Sequence, residues 1–393
     1  MRIENIRCRE LEGVLEHPAP FWEERLCRPI DIYPEHRAEG RDLPRLGPGR
    51  YRVSGVFVQV HTDNGLTGLS GPVSREVGRI ILAEFEDLLL GEDPCAVELL
   101  WDKMYRLAVH GRKGPTMMAI SAIDCALWDV RGKWADAPVY RLLGGATRER
   151  IPAYASMLGF SVAPDRVVER AREYAALGYG AQKWFFRASP AEGADGHARN
   201  EALASAAREG MGETSDLMLD CWMSWDLRYA KEMAPRLAPY RLRWIEEPVM
   251  PDKHDICAQI RQAMPFPVAN GEHEYTRWGF RRLLEVGAQD VLQPDIYWAG
   301  GITEVLKIAA LASAYDIQVV PHGHSTHATA HFLAAQPPSL CPMQEYLVKH
   351  NTLNQFFLKD KVQPLAGHIV PPEAPGMGMV IDEDAVEHEL VLN

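Results

Sequence analysis

Apolar and polar positions along the chain follow two rhythms, and the change falls near residue 150. Before it, residues 51–68 (YRVSGVFVQVHTDNGLTG) alternate with the period of a strand around Asp63-Asn64-Gly65, which predicts a β-hairpin. Ile81-Leu82 and Leu88-Leu89-Leu90 flank acidic positions. Residues 97–107 repeat apolar side chains at three-to-four spacing, which predicts a helix. Residues 119–134 predict another, apolar on most sides and therefore buried. Residues 18–50 are rich in Pro, Gly and charge with little period, the mark of a long loop. Trp22 and Arg28, with Tyr33 and Arg37, are candidates there to cover a ligand.

From Ile151 onward, short apolar runs ending in polar residues alternate with helical stretches. The runs are 181–184, 216–220, 242–247, 267–273, 291–297 and 318–324. Such alternation implies βα units on a parallel sheet. A doubly wound sheet would also alternate, but the regularity and length favour an α/β fold of the (β/α)8 type, a modified TIM barrel, behind a first α+β unit. The expected division is 1–143 for the α+β unit, 144–364 for the barrel, and 365–393 for a tail that leaves the barrel and packs back on the first unit.

At 393 residues, two packed units are the default, and 47% hydrophobic residues suffice for both cores. The formal net charge of -12 argues against a nucleic-acid partner but not against a small anionic substrate, since a bound metal reverses the local field. The seven cysteines are odd in number and contain no CxxC pair, which suggests reduced thiols in a cytosolic protein. No apolar run reaches membrane length and MRIENIRCRELEG lacks a signal core, so a cytoplasmic location without membrane partners is expected.

Three carboxylates stand at equivalent places in consecutive units: Asp220 in LMLD, Glu246 in RWIEEP and Glu272 in ANGEH, each 26 residues from the next. That is about one barrel unit, so all three should end adjacent strands at the face where barrels keep their active sites. Any one could cap a helix, but three at one spacing point to a site. Converging carboxylates repel unless neutralised, and an all-oxygen set suits Mg²⁺ first and Mn²⁺ next. The following units add Asp295 in LQPDIYW and His322 in VVPHGHS, 27 residues apart. An Asp on the neighbouring strand fixes the tautomer of an imidazole and raises its basicity. These parts suit abstraction of the weakly acidic proton next to a carboxylate: a divalent metal stabilises the enediolate and His322 moves the proton.

With these motifs in place, the chain resembles the enolase superfamily in its mandelate-racemase-like branch. Asp220, Glu246 and Glu272 match that family's magnesium ligands, and Asp295 and His322 match its His/Asp dyad. The stretch AIDCALWD at 122–129, followed by Gly132-Lys133 and LLGG at 142–145, is similar to the segment joining the family's capping domain to its barrel. The resemblance implies that the N-terminal α+β unit caps the barrel mouth and that the tail returns to it. Within the branch, LMLDCWMS, GEH, QPD and VPHG are similar to the L-rhamnonate dehydratase group, which turns sugar acids into 2-keto-3-deoxy acids. Glu274, His324 and the spacing to Glu345 depart from that group, which leaves the sugar open.

Lys183 in Lys183-Trp184-Phe185 aligns with the branch's Lys-x-Lys motif in one of two ways. As the first lysine it leaves Phe185 in place of the second and a one-sided site suited to dehydration. As the second it would permit two-base racemisation. Glu345, if held neutral, would hydrogen-bond the enediolate. Trp222, His273, Tyr297, Trp298 and His324 adjoin these residues and are candidates to shape the substrate pocket. The expectation is a Mg²⁺-dependent dehydratase of a rhamnonate-like aldonate, a hydro-lyase acting on a small molecule and assembled as a homo-oligomer. The rivals are a racemase or epimerase of a 2-hydroxy acid, a non-catalytic binding protein on a barrel scaffold, and a two-metal hydrolase, which would want more His ligands.

Overall fold

The computed structural model describes residues 1–18, 20–38, 40 and 42–392. Strands β1 (Ile3–Glu16), β2 (Arg45–Gly47), β3 (Arg50–Thr62) and β4 (Thr67–Val73) form an antiparallel sheet in which β3 pairs with β1, β2 and β4. The β3–β4 turn is the one the Asp-Asn-Gly signal predicts: the Thr62 hydroxyl donates to Asn64 Oδ1 at 2.7 Å, and Gly65 takes φ +85°. The predicted buried helix runs Pro115–Trp134, with Pro in its first turn. It lies between this sheet and the barrel. Its approach to β4 is close enough that a Cβ on Gly68 would fall 2.1 Å from the Ala126 carbonyl oxygen.

The barrel strands are β5 (Ile151–Ser156), β6 (Ala181–Phe185), β7 (Asp216–Asp220), β8 (Leu242–Glu246), β9 (Val268–Asn270), β10 (Val291–Leu292), β11 (Gln318–Val319) and β12 (Gln344–Leu347). They pair in parallel in the order β11-β10-β9-β8-β7-β6-β5-β12. At the seam the Val319 N–H donates to the Leu340 carbonyl at 2.8 Å, and the Gly323 N–H to Glu345 Oε2 at 3.0 Å. This is the expected curled eight-strand sheet with a separate cap. Strand β13 (His368–Ile369) pairs with β5, and β14 (His388–Val391) runs antiparallel along β1. Among the described residues, no helix is long and apolar enough to cross a membrane.

The inside of the barrel follows from strand period. Tyr154, Ala181, Met218, Trp244, Ala269, Val291, Val320 and Met343, one from each strand or its flank, pack into an apolar plug. Two residues further on, the same face carries Ser156, Lys183, Asp220, Glu246, Gln293, His322 and Glu345. The plug excludes water from below, and the polar layer sits directly on it.

Candidate active site

The polar layer is a ring of buried charge. Asp220, Glu246, Glu247, Glu272, Asp295 and Glu345 are each no more than 4% exposed. Lys183 lies among them, fully buried: its ammonium contacts Glu246 and stands 2.8 Å from Glu345 Oε1 and 3.6 Å from Asp220 Oδ2. Glu246 also accepts from Trp244 Nε1 at 3.0 Å and from Gln293 Nε2 at 2.7 Å. Burial disfavours the Lys183 charge, but Glu246 and Glu345 outweigh it and push the ammonium pKa well up. In register, Lys183 pairs with Met218 and Phe185 with Asp220. Phe185 thus stands beside Asp220 in the strand register, and the Lys183 backbone two residues earlier, while the Lys183 ammonium reaches the acids themselves.

Burial, reinforced by the neighbouring Glu246 and Glu272, pushes the Asp220 carboxyl well above its usual range. Burial likewise pushes Glu272 up to about 7, partly offset by His322. The donor set of buried oxygens fits a hard divalent cation. Asp220 and Glu246 end paired strands side by side, and Glu272 is delivered by Gly271, whose φ of +129° turns the chain back over the mouth.

Among the described residues, the group whose ligand atoms all lie within 4.8 Å is Glu247, Glu272 and His273. Glu246 is drawn down to Lys183, while Glu247, with φ +42°, turns upward to accept from His273 Nδ1 at 2.7 Å. Glu247 was not anticipated, although a second acid directly after Glu246 was a visible signal. Trp222 and Met223, at φ +41° and +62°, add backbone strain at the neighbouring strand end, and the Trp222 N–H donates to Asp220 Oδ1 at 2.8 Å.

Across the mouth, His322 Nδ1 lies 2.7 Å from Asp295 Oδ2, and Nε2 faces Glu272 Oε2 at 3.6 Å. Burial opposes an imidazolium here, but Glu272, the Asp295 hydrogen bond and Glu345 outweigh it and push the His322 pKa up to about 10. Burial raises the Glu345 pKa, but Lys183 and His322 more than compensate and hold it below the usual range.

The outer candidates divide. His273 stands at the mouth, its rings with Trp222 at 5.7 Å and Trp298 at 5.6 Å, and Glu247 and Glu272 overcome burial to push its pKa up to about 9. His324 lies 5.7 Å from the Trp298 ring and reaches the Pro72 carbonyl at 3.4 Å; burial lowers its pKa. Tyr297 points away, its hydroxyl bonded to the Gly71 N–H at 3.0 Å and to the Gly71 carbonyl at 3.3 Å, so it ties cap to barrel. Trp22 is buried against Phe21 and Gly159, and Arg28 pairs with Asp31 at 3.3 Å within its own loop. That loop docks on the strand ends through the Cys27 N–H to the Phe186 carbonyl at 2.8 Å and through Lys349, which donates to Phe21, Gly159 and Glu23.

The chain matches the family model of enolase C-terminal domain-like proteins over residues 166–385, and that of the mandelate racemase / muconate lactonizing enzyme N-terminal domain over residues 49–144. It is 37% identical over 403 aligned positions to L-rhamnonate dehydratase of Saccharopolyspora erythraea, covering 98% of this chain and 97% of that one. Its structure is similar to rhamnonate dehydratase from Gibberella zeae complexed with Mg, with a TM-score of 0.85, 32% identity and coverage of 98% and 95%. It is also similar to a racemase from Streptomyces coelicolor with bound magnesium, with a TM-score of 0.79, 27% identity and 98% coverage of both chains.

Proposed function

The chain belongs to the mandelate racemase / muconate lactonizing enzyme family of the enolase superfamily, and from that premise we propose that it is a magnesium-dependent hydro-lyase that dehydrates a sugar acid, an aldonate of the L-rhamnonate kind, to its 2-keto-3-deoxy acid. The observation that carries the reading is the His322–Asp295 pair at 2.7 Å, with its free nitrogen turned toward Glu272 inside a ring of buried carboxylates. Asp220, Glu246 and Glu272, with Glu247 beside them, are the residues that would hold Mg²⁺, which supplies Lewis-acid stabilisation of charge developing on a substrate carboxylate. Asp295 accepts from Nδ1 and orients Nε2 of His322; with Glu272, the largest charge raising the imidazole pKa, neutralised by a cation, Nε2 would be able to take the proton from the carbon next to the carboxylate. The same nitrogen, once protonated, is placed to deliver a proton to the departing β-hydroxyl. His273 and His324 flank this position and are suited to bind substrate hydroxyls. Lys183 balances the acids and, engaged by Glu246, Glu345 and Asp220 and held as an ammonium by them, is poorly suited to act as a second base.

That one-sidedness supports dehydration over racemisation, which needs a base on each face. The test is incubation of the protein and Mg²⁺ with a panel of aldonic and aldaric acids in D₂O. Dehydration yields a 2-keto-3-deoxy acid. Deuterium entering C2 without loss of water would instead establish a racemase or epimerase. No product and no exchange with any acid would overturn the proposal.

A further inference from the structure

The His322 ring is gripped from two directions by one short turn. Asp295 holds its edge through Nδ1 and, through Oδ1, accepts from the Tyr297 N–H at 2.7 Å, so it also caps the helical turn Ile296–Ala299. That turn carries Trp298, whose indole lies 4.9 Å from the His322 ring at an interplanar angle of 35°. The same indole touches His273 at 5.6 Å and His324 at 5.7 Å. The turn is anchored from outside by the Tyr297 hydroxyl on Gly71 of the cap. A hydrogen bond at Nδ1 restrains an imidazole along one edge, and an indole packed obliquely against it adds a second restraint on the plane of the ring.

We infer that Trp298 is a positioning residue for the proposed base, fixing the plane of the His322 imidazole, which Asp295 alone does not fix, and keeping His273 and His324 in register beside it. The inference rests on the proposed reaction only for its kinetic consequence; the ring restraint itself is a property of the protein.

The test pairs two variants with two readouts. With a sugar acid that the wild type dehydrates, Trp298→Leu is expected to lower kcat about 10- to 100-fold while KM stays within about threefold, because a loosened base misaligns the proton transfer without removing ground-state binding. Trp298→Phe, which keeps a flat face, is expected to recover most of that loss. A rise in KM alone would make Trp298 a wall of the substrate pocket, and equal losses in both variants would make it general packing; either overturns the inference. The second readout needs no substrate. In ¹⁵N-histidine spectra of the full chain, the His322 signal, assigned by its absence in His322→Asn, should be sharp in the wild type and Trp298→Phe and broadened or split in Trp298→Leu. An unchanged signal in Trp298→Leu contradicts the restraint. If no sugar acid is turned over by the wild type, the proposed function falls and the spectra still decide the positioning role.

Discussion

Lys183 is the cation around which three buried acids are arranged, standing 2.8 Å from Glu345 and 3.6 Å from Asp220 with Glu246 in contact. Removing one partner of a buried pair leaves the others uncompensated, which costs about 3–5 kcal/mol. Lys183→Met should therefore lower the thermal midpoint in EDTA, and added Mg²⁺ should recover part of the loss by supplying the counter-charge. Thermal unfolding with and without Mg²⁺ checks this; a variant as stable as wild type in EDTA would show that the lysine does not balance the ring. The residues of this ring were legible where strand period applies. Asp220, Glu246, His322 and Glu345 each sit two positions beyond an apolar plug residue. What stayed illegible was which of two adjacent acids turns inward: Glu246 and Glu247 differ only through the φ of +42° at Glu247. Nor did the sequence reveal that Glu345 has Lys183 for a neighbour, since their strands, β12 and β6, are brought to either side of β5 only when the last strand pairs with the first of the barrel.

At the scale of elements, the turn after β9 and the helix after β11 each carry a testable consequence. Gly271 holds φ +129°, and a Cβ there would lie 2.8 Å from Phe280 Cε1 and 3.2 Å from the Gln293 nitrogen. Gly271→Ala should destabilise the protein by about 1–3 kcal/mol and displace Glu272, weakening Mg²⁺ binding. Chemical denaturation and metal titration of the variant measure both, and unchanged values would separate Glu272 from this turn. Helix Thr326–Ala335 carries His327 and His331 one turn apart, both buried. The structure puts His327 against the Asp360 carbonyl and His331 under Tyr140. Burial pushes both pKa values down to about 4 from the ordinary 6.5. The unfolded chain then binds more protons between these values, so stability is full above pH 6.5 and falls as pH drops toward 4, by up to about 3 kcal/mol for each histidine. His331→Gln, measured by urea unfolding at several pH values, should flatten that slope; an unaltered slope would contradict it. The βα rhythm made the central strands visible, whereas the long loop of residues 18–50 has no period to read. There Trp22 packs with Phe21 and Tyr51, and Arg28 pairs with Asp31.

Over the whole molecule, cap and barrel share one apolar cluster that runs from Ile3 through the barrel to Leu392. Polar ties cross the junction as well: Trp101 Nε1 donates to the Gly300 carbonyl at 2.7 Å, Trp128 Nε1 to Thr303 Oγ1 at 2.9 Å, and the Thr303 N–H to Asp124 Oδ2 at 3.0 Å. With that core shared between them, the two units should unfold in one cooperative calorimetric transition, and two resolved transitions would contradict that picture. The cap is thereby fixed to the turn that bears Asp295 and Trp298, so the base is held by both units. The most direct test of the account is the rate at which the proton next to the carboxylate is lost, followed by NMR in D₂O with Mg²⁺ and the best sugar acid, for wild type and His322→Asn. The wild type should lose the proton and form a 2-keto-3-deoxy acid, and a folded His322→Asn variant should do neither. Undiminished proton loss in that variant would mean that another group is the base.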